Sequence, residues 1–227
     1  MPAEQRETWP RTADRLVELQ HRLARLRPEA WQPPEPLRTG AAWVCFPRGE
    51  TGRGRAGDPA WAAAVVMDAG RVVERALLTG AAGGPYVAGL MALRAGPLLA
   101  EVVQRLADPP DVLLLDATAR DHPRAAGLAL HLGWALGLPT IGVTHRPLVA
   151  AGEWPADDRG AQSPLRVGEH VVGCWLRTRP GTRPLAVHPG WRTDLPTAVD
   201  VVLAVAHRRT PEPLRGAREL ARRARGA

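Results

Sequence analysis

The stretch DVLLLDATARD, residues 111–121, with His122, Pro123 and Arg124 directly behind it, decides the fold. It opens after Pro109 and Pro110 with a short run, Val112 to Leu115, that is apolar throughout. A continuous run of this length, with a helical pattern downstream, predicts a strand over 111–116 covered on both faces of a sheet. Asp116 then stands at the carboxyl end of that strand, where open α/β sheets bind their ligands. A carboxylate at such a position is a metal ligand, a general base or a cap for the next helix.

Working outward, 125–136 reads as a helix closed by Gly137 and Pro139, and 140–143 as a further strand. Upstream, 90–106 reads as a helix preceded by a flexible hinge over 80–84. Residues 61–67 and 71–78 flank Asp68-Ala69-Gly70, a turn signal that predicts an antiparallel hairpin. A strand over 41–46 precedes that hairpin, after a glycine- and arginine-rich turn over 49–59 is allowed for. At the amino end, Leu16, Leu19, Leu23 and Leu26 recur at helical spacing over 12–26. Beyond a polar loop over 150–164, strands are predicted over 167–178 and 184–187 around Pro180-Gly181. A last helix spans 195–206, with Asp194 as its cap and Pro196 in its first turn. Three antiparallel strands followed by alternating helix and strand is the order of a ribonuclease H-like α/β domain, a mixed sheet with helices on both faces. One such domain is predicted over 1–206, with an Arg-rich segment over 207–227.

The chain has 227 residues and a formal charge of +7, and every basic side chain apart from histidine is arginine. The absence of lysine excludes a P-loop or a Schiff base. The segment 207–227 holds seven Arg against two Glu, so most of the excess charge sits there. It reads either as weak phosphate attraction or as compositional bias. Cys45 and Cys174 lack the paired spacing of a zinc site and read as small buried hydrophobes. No run of about 18 apolar residues occurs, so no membrane span is predicted. The polar amino end lacks a signal-peptide apolar region, which points to the cytoplasm.

The chain resembles the endonuclease V family, metal-dependent nucleases that cut a strand near deoxyinosine. PYVAGLMALRAGPLL resembles the family's wedge segment and the helix after it. DVLLLDATARDHPRAAGLALHLGWALGLPTIGVTH resembles its central strand, helix and strand. GEHVVGCWLRTRPGTRPLAVHPGWRTDL resembles its late hairpin and the start of its final helix, and PEPLR its C-terminal segment. Three long pieces in the right order make the resemblance specific. It implies Tyr86 and Gly89 as wedge residues and His122 and Arg124 as loop and phosphate contacts. Arg94 and Arg192, which flank the implied site, are further phosphate candidates. The neutral readings are a tyrosine packing its own loop, a histidine capping the next helix, and solvated arginines.

The resemblance also implies departures. The family holds a divalent cation with carboxylates from different strands; such an ion acts as a Lewis acid and lowers the pKa of an attacking water. Where the family has an aspartate on the first strand, this chain has Trp43. Where it has a glutamate on the helix after the wedge, this chain has Ala95. His145 replaces a lysine, Trp191 replaces the histidine of the final helix, and Ala117, Ala119 and Ala88 replace pocket glycines and a wedge proline. Only Asp116 persists, with His145 a potential hydrogen-bond partner at the next strand end. Mg²⁺ wants several oxygen ligands, so one aspartate is an insufficient metal site and no cofactor is expected unless the family's activity persists. Two indoles at the metal position would act as an apolar plug.

Three functions are thus open. The favoured one is a nuclease homologue without metal-dependent cutting that keeps weak DNA or RNA binding, as a monomer. The second is an active deoxyinosine-type endonuclease using Asp116 with Asp121 or His145. The third is an interaction domain whose docking surface is built on Trp43 and Trp191.

Overall fold

Residues 8–49 and 52–226 are described by a computed structural model. Glu50 and Thr51, inside the predicted turn over 49–59, lie outside the described residues, as do 1–7 and 227.

Eight strands form one sheet: β1 (Thr39–Cys45), β2 (Pro59–Asp68), β3 (Arg71–Ala81), β4 (Val112–Leu115), β5 (Thr140–Thr144), β6 (Gln162–Val167), β7 (His170–Leu176) and β8 (Leu185–Pro189). Their order across the sheet is β3-β2-β1-β4-β5-β8-β7-β6. The centre is parallel, with Ala42 opposite Leu115 between β1 and β4 and Leu115 opposite Gly142 between β4 and β5. Everything outside the centre is antiparallel. The ribonuclease H-like order expected from the sequence is therefore present.

Side chains of β4 alternate between two cores, because successive residues of a strand point to opposite faces. Leu113 and Leu115 join α1 (Ala13–Arg25), α2 (Met91–Gln104) and α3 (Leu128–Leu136) on one face. Val112 and Leu114 join α4 (Leu195–Val205) and α5 (Glu212–Gly226) on the other. All four residues of β4 are buried, which is why their run reads as continuously apolar. No helix among the described residues is long and apolar enough to cross a membrane.

Four local expectations need correction. The segment 207–227 is no loose tail: α5 buries Leu214, Ala217 and Ala221 against β1 and β2. Its apolar stripe is mostly alanine, a weak periodic signal among arginines. The loop over 150–164 ends in β6, an edge strand in which Pro164 is tolerated because one of its sides needs no ladder bond. The expected hinge over 80–84 is packed instead. Gly80 continues β3, and the Gly83 amide donates to the Arg94 carbonyl at 3.0 Å. The helix predicted from 125 starts at Leu128, since Ala125 has φ 50° and Gly127 occupies the cap position.

Asp194 caps α4 as expected, accepting from the Thr197 amide at 2.8 Å, and both cysteines are buried and free.

Candidate functional site

The carboxyl ends of β1, β4 and β5 lie side by side because these strands are parallel neighbours. One step beyond the last β1–β4 pair, Trp43 and Asp116 stand next to each other on the same face. Together they line a small void of about 80 Å³ whose other walls include Met91 and Leu99 of α2. Ala95 lies between those two residues on one helix face, at the spacing i, i+4, i+8, and is 0% exposed. Trp43 and Asp116 are thus brought together, with the Trp43 ring packed toward α5, whereas Ala95 belongs to the core on the α2 side of the sheet.

Asp116 also reaches the floor of a larger cleft of about 440 Å³. The cleft is walled by residues 86–89, by Ala117 and Thr118, and by 146–148 beyond β5. The Asp116 side chain meets solvent there, yet the protein around it disfavours its charge. Desolvation pushes its carboxyl up to about 6, against the opposing pull of the Arg218 guanidinium. No neighbouring carboxylate is among the charges acting on it.

Residues 86–89 are held from below. The Gly89 carbonyl accepts from Gln20 Nε2 at 3.0 Å and from Arg124 Nη2 at 2.7 Å, and lies 3.0 Å from His122 Nε2. His122 Nδ1 accepts the Arg124 amide at 3.1 Å, which leaves the hydrogen on Nε2 and makes that nitrogen a donor to Gly89. Burial keeps His122 neutral, pulling its pKa down to about 4. Gly89 has φ 78°, and a side chain there would press on Arg124 and His122. His122 and Arg124 are therefore loop supports that hold Tyr86 at the cleft mouth. Tyr86 is 50% exposed, and its amide donates to the Arg53 carbonyl at 2.6 Å.

Other expected site residues lie elsewhere. Arg94 is 5% exposed and wholly occupied: it donates to the Gly84 carbonyl at 2.7 Å, pairs with Asp58 at 3.4 Å and stacks over Phe46 at 3.9 Å. It fastens the start of β2 to α2 and faces no ligand.

Trp191 is at the wrong end of the sheet to plug the site. Its amide donates to Thr140 Oγ1 at 2.8 Å, its carbonyl accepts from the Thr140 amide at 3.0 Å, and it packs over Gly133 of α3. Thr140 starts β5, whereas Asp116 is level with that strand's far end, roughly 10 Å away at about 3.3 Å per residue. Arg192 follows it there, with φ 53° and its carbonyl taken by the Trp31 amide. The helix after Trp191 is α4, not the last one. No docking surface joins Trp43 to Trp191.

His145 is exposed beyond β5, and Asp116 is not among the groups that shift it. Burial, Arg209 and Arg218 lower its pKa. The expected Asp116–His145 pair does not form. Asp121 pairs with a different histidine. Both its side chain and that of His188 are 0% exposed, 3.8 Å apart. The Asp121 carboxylate also accepts the amides of Leu148, Val149 and Ala150, each at 2.7 Å. It is spent on the cleft wall and is not free to bind an ion.

Sequence reading missed two groups. The Asp121–His188 contact links residues far apart in the chain and has no local signal. Arg218 had one: it shares a helical face with Arg222 and Arg225, at spacings of four and three. Its guanidinium lies 5.8 Å over the Trp43 ring.

The donor set does not suit a hard divalent cation. Among the described residues no group of three or more His, Cys, Asp or Glu side chains could hold one, and the charge next to Asp116 is a guanidinium.

The endonuclease V family model matches residues 50–219. Endonuclease V of Streptomyces coelicolor is 38% identical over 219 residues, covering 95% of this chain and 92% of that protein. The Streptomyces avermitilis protein of the same name is 43% identical over 166 residues, 72% of each chain. The crystal structure of endonuclease V from Streptomyces avermitilis superposes with a TM-score of 0.85 at 37% identity, over 95% of this chain and 94% of that one. The sheet order, the loop clamped at Gly89 and the aspartate closing β4 therefore sit in a chain that belongs to the endonuclease V family.

Proposed function

We propose that this family member no longer cuts by a metal-dependent route and instead holds nucleic acid, as a monomer, in the cleft between Tyr86 and Asp116. The observation that carries this reading is Trp43 in the register position beside Asp116. An ion held between two strand-end carboxylates would need an oxygen donor there and finds an indole. Even outer-shell changes around a metal typically cost about 10- to 100-fold in affinity or activity; loss of direct ligands costs more. Ala95, buried one turn from Met91 and Leu99, supplies no replacement oxygen.

The cleft keeps what binding needs. Its size suits an unstacked base, its walls are mostly apolar, and Tyr86 offers a ring at the mouth. Stacking of one base on an aromatic side chain is worth about 1 to 3 kcal/mol. Gln20, His122 and Arg124 position that ring through the Gly89 carbonyl and need not touch the ligand. The rival reading, an active nuclease drawing on Asp121 or His145, is disfavoured because the first is enclosed by three amides and the second stands apart from Asp116.

The test is incubation with end-labelled DNA and RNA strands containing an inosine residue, in Mg²⁺ and separately in Mn²⁺. The expected result is intact substrate over a full time course, with the labelled strand still retained by the protein in a mobility-shift assay. Multiple-turnover product that disappears in Asp116→Ala overturns the proposal.

A further inference from the structure

The arginines of α5 divide into two sets with different company. Arg215 is neutralised: it pairs with Glu212 and, at 2.8 Å, with Glu219, on the side of the helix facing β2 and β3. Arg218, Arg222 and Arg225 fall within one arc of about 60° on the helix, with Arg222 nearly in line with Arg215 and with Arg218 and Arg225 on the side of Trp43 and Phe46. Among the described residues Arg218 and Arg222 make no hydrogen bond or ion pair, and Arg225 gives one N–H to the Phe46 carbonyl at 2.9 Å.

The row of Arg218, Arg222 and Arg225 has a direction. α5 starts beside Thr39, where Glu212 lines a hollow with it, and ends beside Phe46, where Arg225 is fastened. It therefore runs alongside β1 toward the strand ends that carry the cleft. Arg218 lies over Trp43 and acts electrostatically on both Asp116 and His145. Arg222 and Arg225 follow at about 6 Å and about 10 Å along the axis, at 1.5 Å per residue. Arg222, Arg225 and Arg48 all act on Cys45 at the end of β1. Arg218 thus links Trp43 and Asp116, which lines the cleft, to the arginines that follow it on α5.

We infer that Arg218, Arg222 and Arg225 form a track that takes the phosphodiester backbone of a single strand directly, with no bridging metal, while the adjoining cleft takes a base. This rests on the proposed non-cutting, nucleic-acid-holding reading of the cleft and names how the strand is gripped. A guanidinium presents a planar fork of N–H donors to a phosphate. The Trp43 ring lies 5.8 Å from the Arg218 guanidinium, which makes no ion pair or hydrogen bond among the described residues and keeps its N–H donors for a ligand. The occupant is a single strand because the track opens beside a concave, base-sized cleft with an exposed ring at its mouth.

The experiment is fluorescence anisotropy of a labelled mixed-sequence single strand, as DNA and as RNA, across a salt series in EDTA. Binding to at least one of the two is expected to survive the chelator. Each phosphate contact on a single strand adds about 0.7 to the slope of log K against log salt. Arg218→Gln with Arg222→Gln is therefore expected to flatten that slope by about 1.4 and to weaken low-salt binding at least tenfold. Arg223→Gln removes an exposed charge from the same helix but lines the hollow on the other side, so it should leave the slope within error. The inference is overturned if the double variant keeps the parent slope, if Arg223→Gln flattens it equally per charge removed, or if EDTA abolishes binding to both strands. Cutting in Mg²⁺ would instead defeat the proposed function, because none of these readings uses a metal.

Discussion

Trp43→Asp combined with Ala95→Glu is expected to lower stability by about 4 kcal/mol in a chelating buffer, and added Mn²⁺ is expected to restore more than half of it. The loss has two sources. Trp43 is half-buried against α5 and under Arg218, and cutting back such a ring removes roughly half of the 3 to 5 kcal/mol typical of a full core truncation. The new carboxylate at 43 joins Asp116 beside a void of about 80 Å³, and the one at 95 starts from a position with no exposure behind Met91 and Leu99 of that void's wall. Like charges in so small a space disfavour one another's ionisation, and a buried carboxylate without a partner is costly. At 2 to 4 °C per kcal/mol for a chain of this size, the melting temperature should fall by about 8 to 16 °C. An ion at about 100 times its dissociation constant returns about 2.7 kcal/mol. Thermal unfolding of parent and variant in EDTA and in Mn²⁺ checks both halves. A variant that melts at the same temperature in the two buffers would show that residues 43, 95 and 116 do not surround a common point.

Asp121→Ala carries the second large effect. The carboxylate accepts three amides and faces His188, both side chains being fully buried. Removing it leaves the Ala150 amide buried without an acceptor, while the Leu148 and Val149 amides are at the cleft surface and recover water bonds in part. An orphaned buried donor costs about 1 to 3 kcal/mol. With the weaker losses at the other two amides, the total is about 3 kcal/mol, or roughly 6 to 12 °C in melting temperature. Hydrogen exchange at 148–150 should accelerate together with that loss. Because Pro147 and Leu148 line the cleft, ligand retention should weaken as well. A melting temperature within 2 °C of the parent would mean that Asp121 does not organise this wall.

How far the sequence could be read follows from where the information lies along the chain. The centre of the sheet was legible because β4 is buried on both faces and its apolar run shows it directly. The hairpin of β2 and β3 was legible because Ala69 and Gly70 both take positive φ in its turn. Asp116 was placed from one fact, its position after the last buried residue of a strand. β6 and α5 were obscured for opposite reasons. An edge strand tolerates Pro164 and polar residues, and a helix that buries alanine hides its period behind its arginines.

The site itself was half legible. Trp43 falls beside Asp116, since that follows from strand register, and Ala95 is buried on the helix that walls the same end of the sheet. Trp191 does not fall there, because β8 runs antiparallel to β5 and delivers it to the amino end of that strand, and nothing local tells which way a late strand will run. Arg94 shows the same limit: a cation next to a presumed site was in fact claimed by Asp58, Gly84 and Phe46.

The ends of β1 and β4 offer one carboxylate, an indole and a guanidinium where a divalent ion would need a set of oxygens. Electron paramagnetic resonance of Mn²⁺ titrated into the unaltered chain tests this most directly. The predicted result is that the free-ion signal grows identically with the parent chain and with Asp116→Ala. Uptake of one ion per chain by the parent, lost in Asp116→Ala, would contradict it.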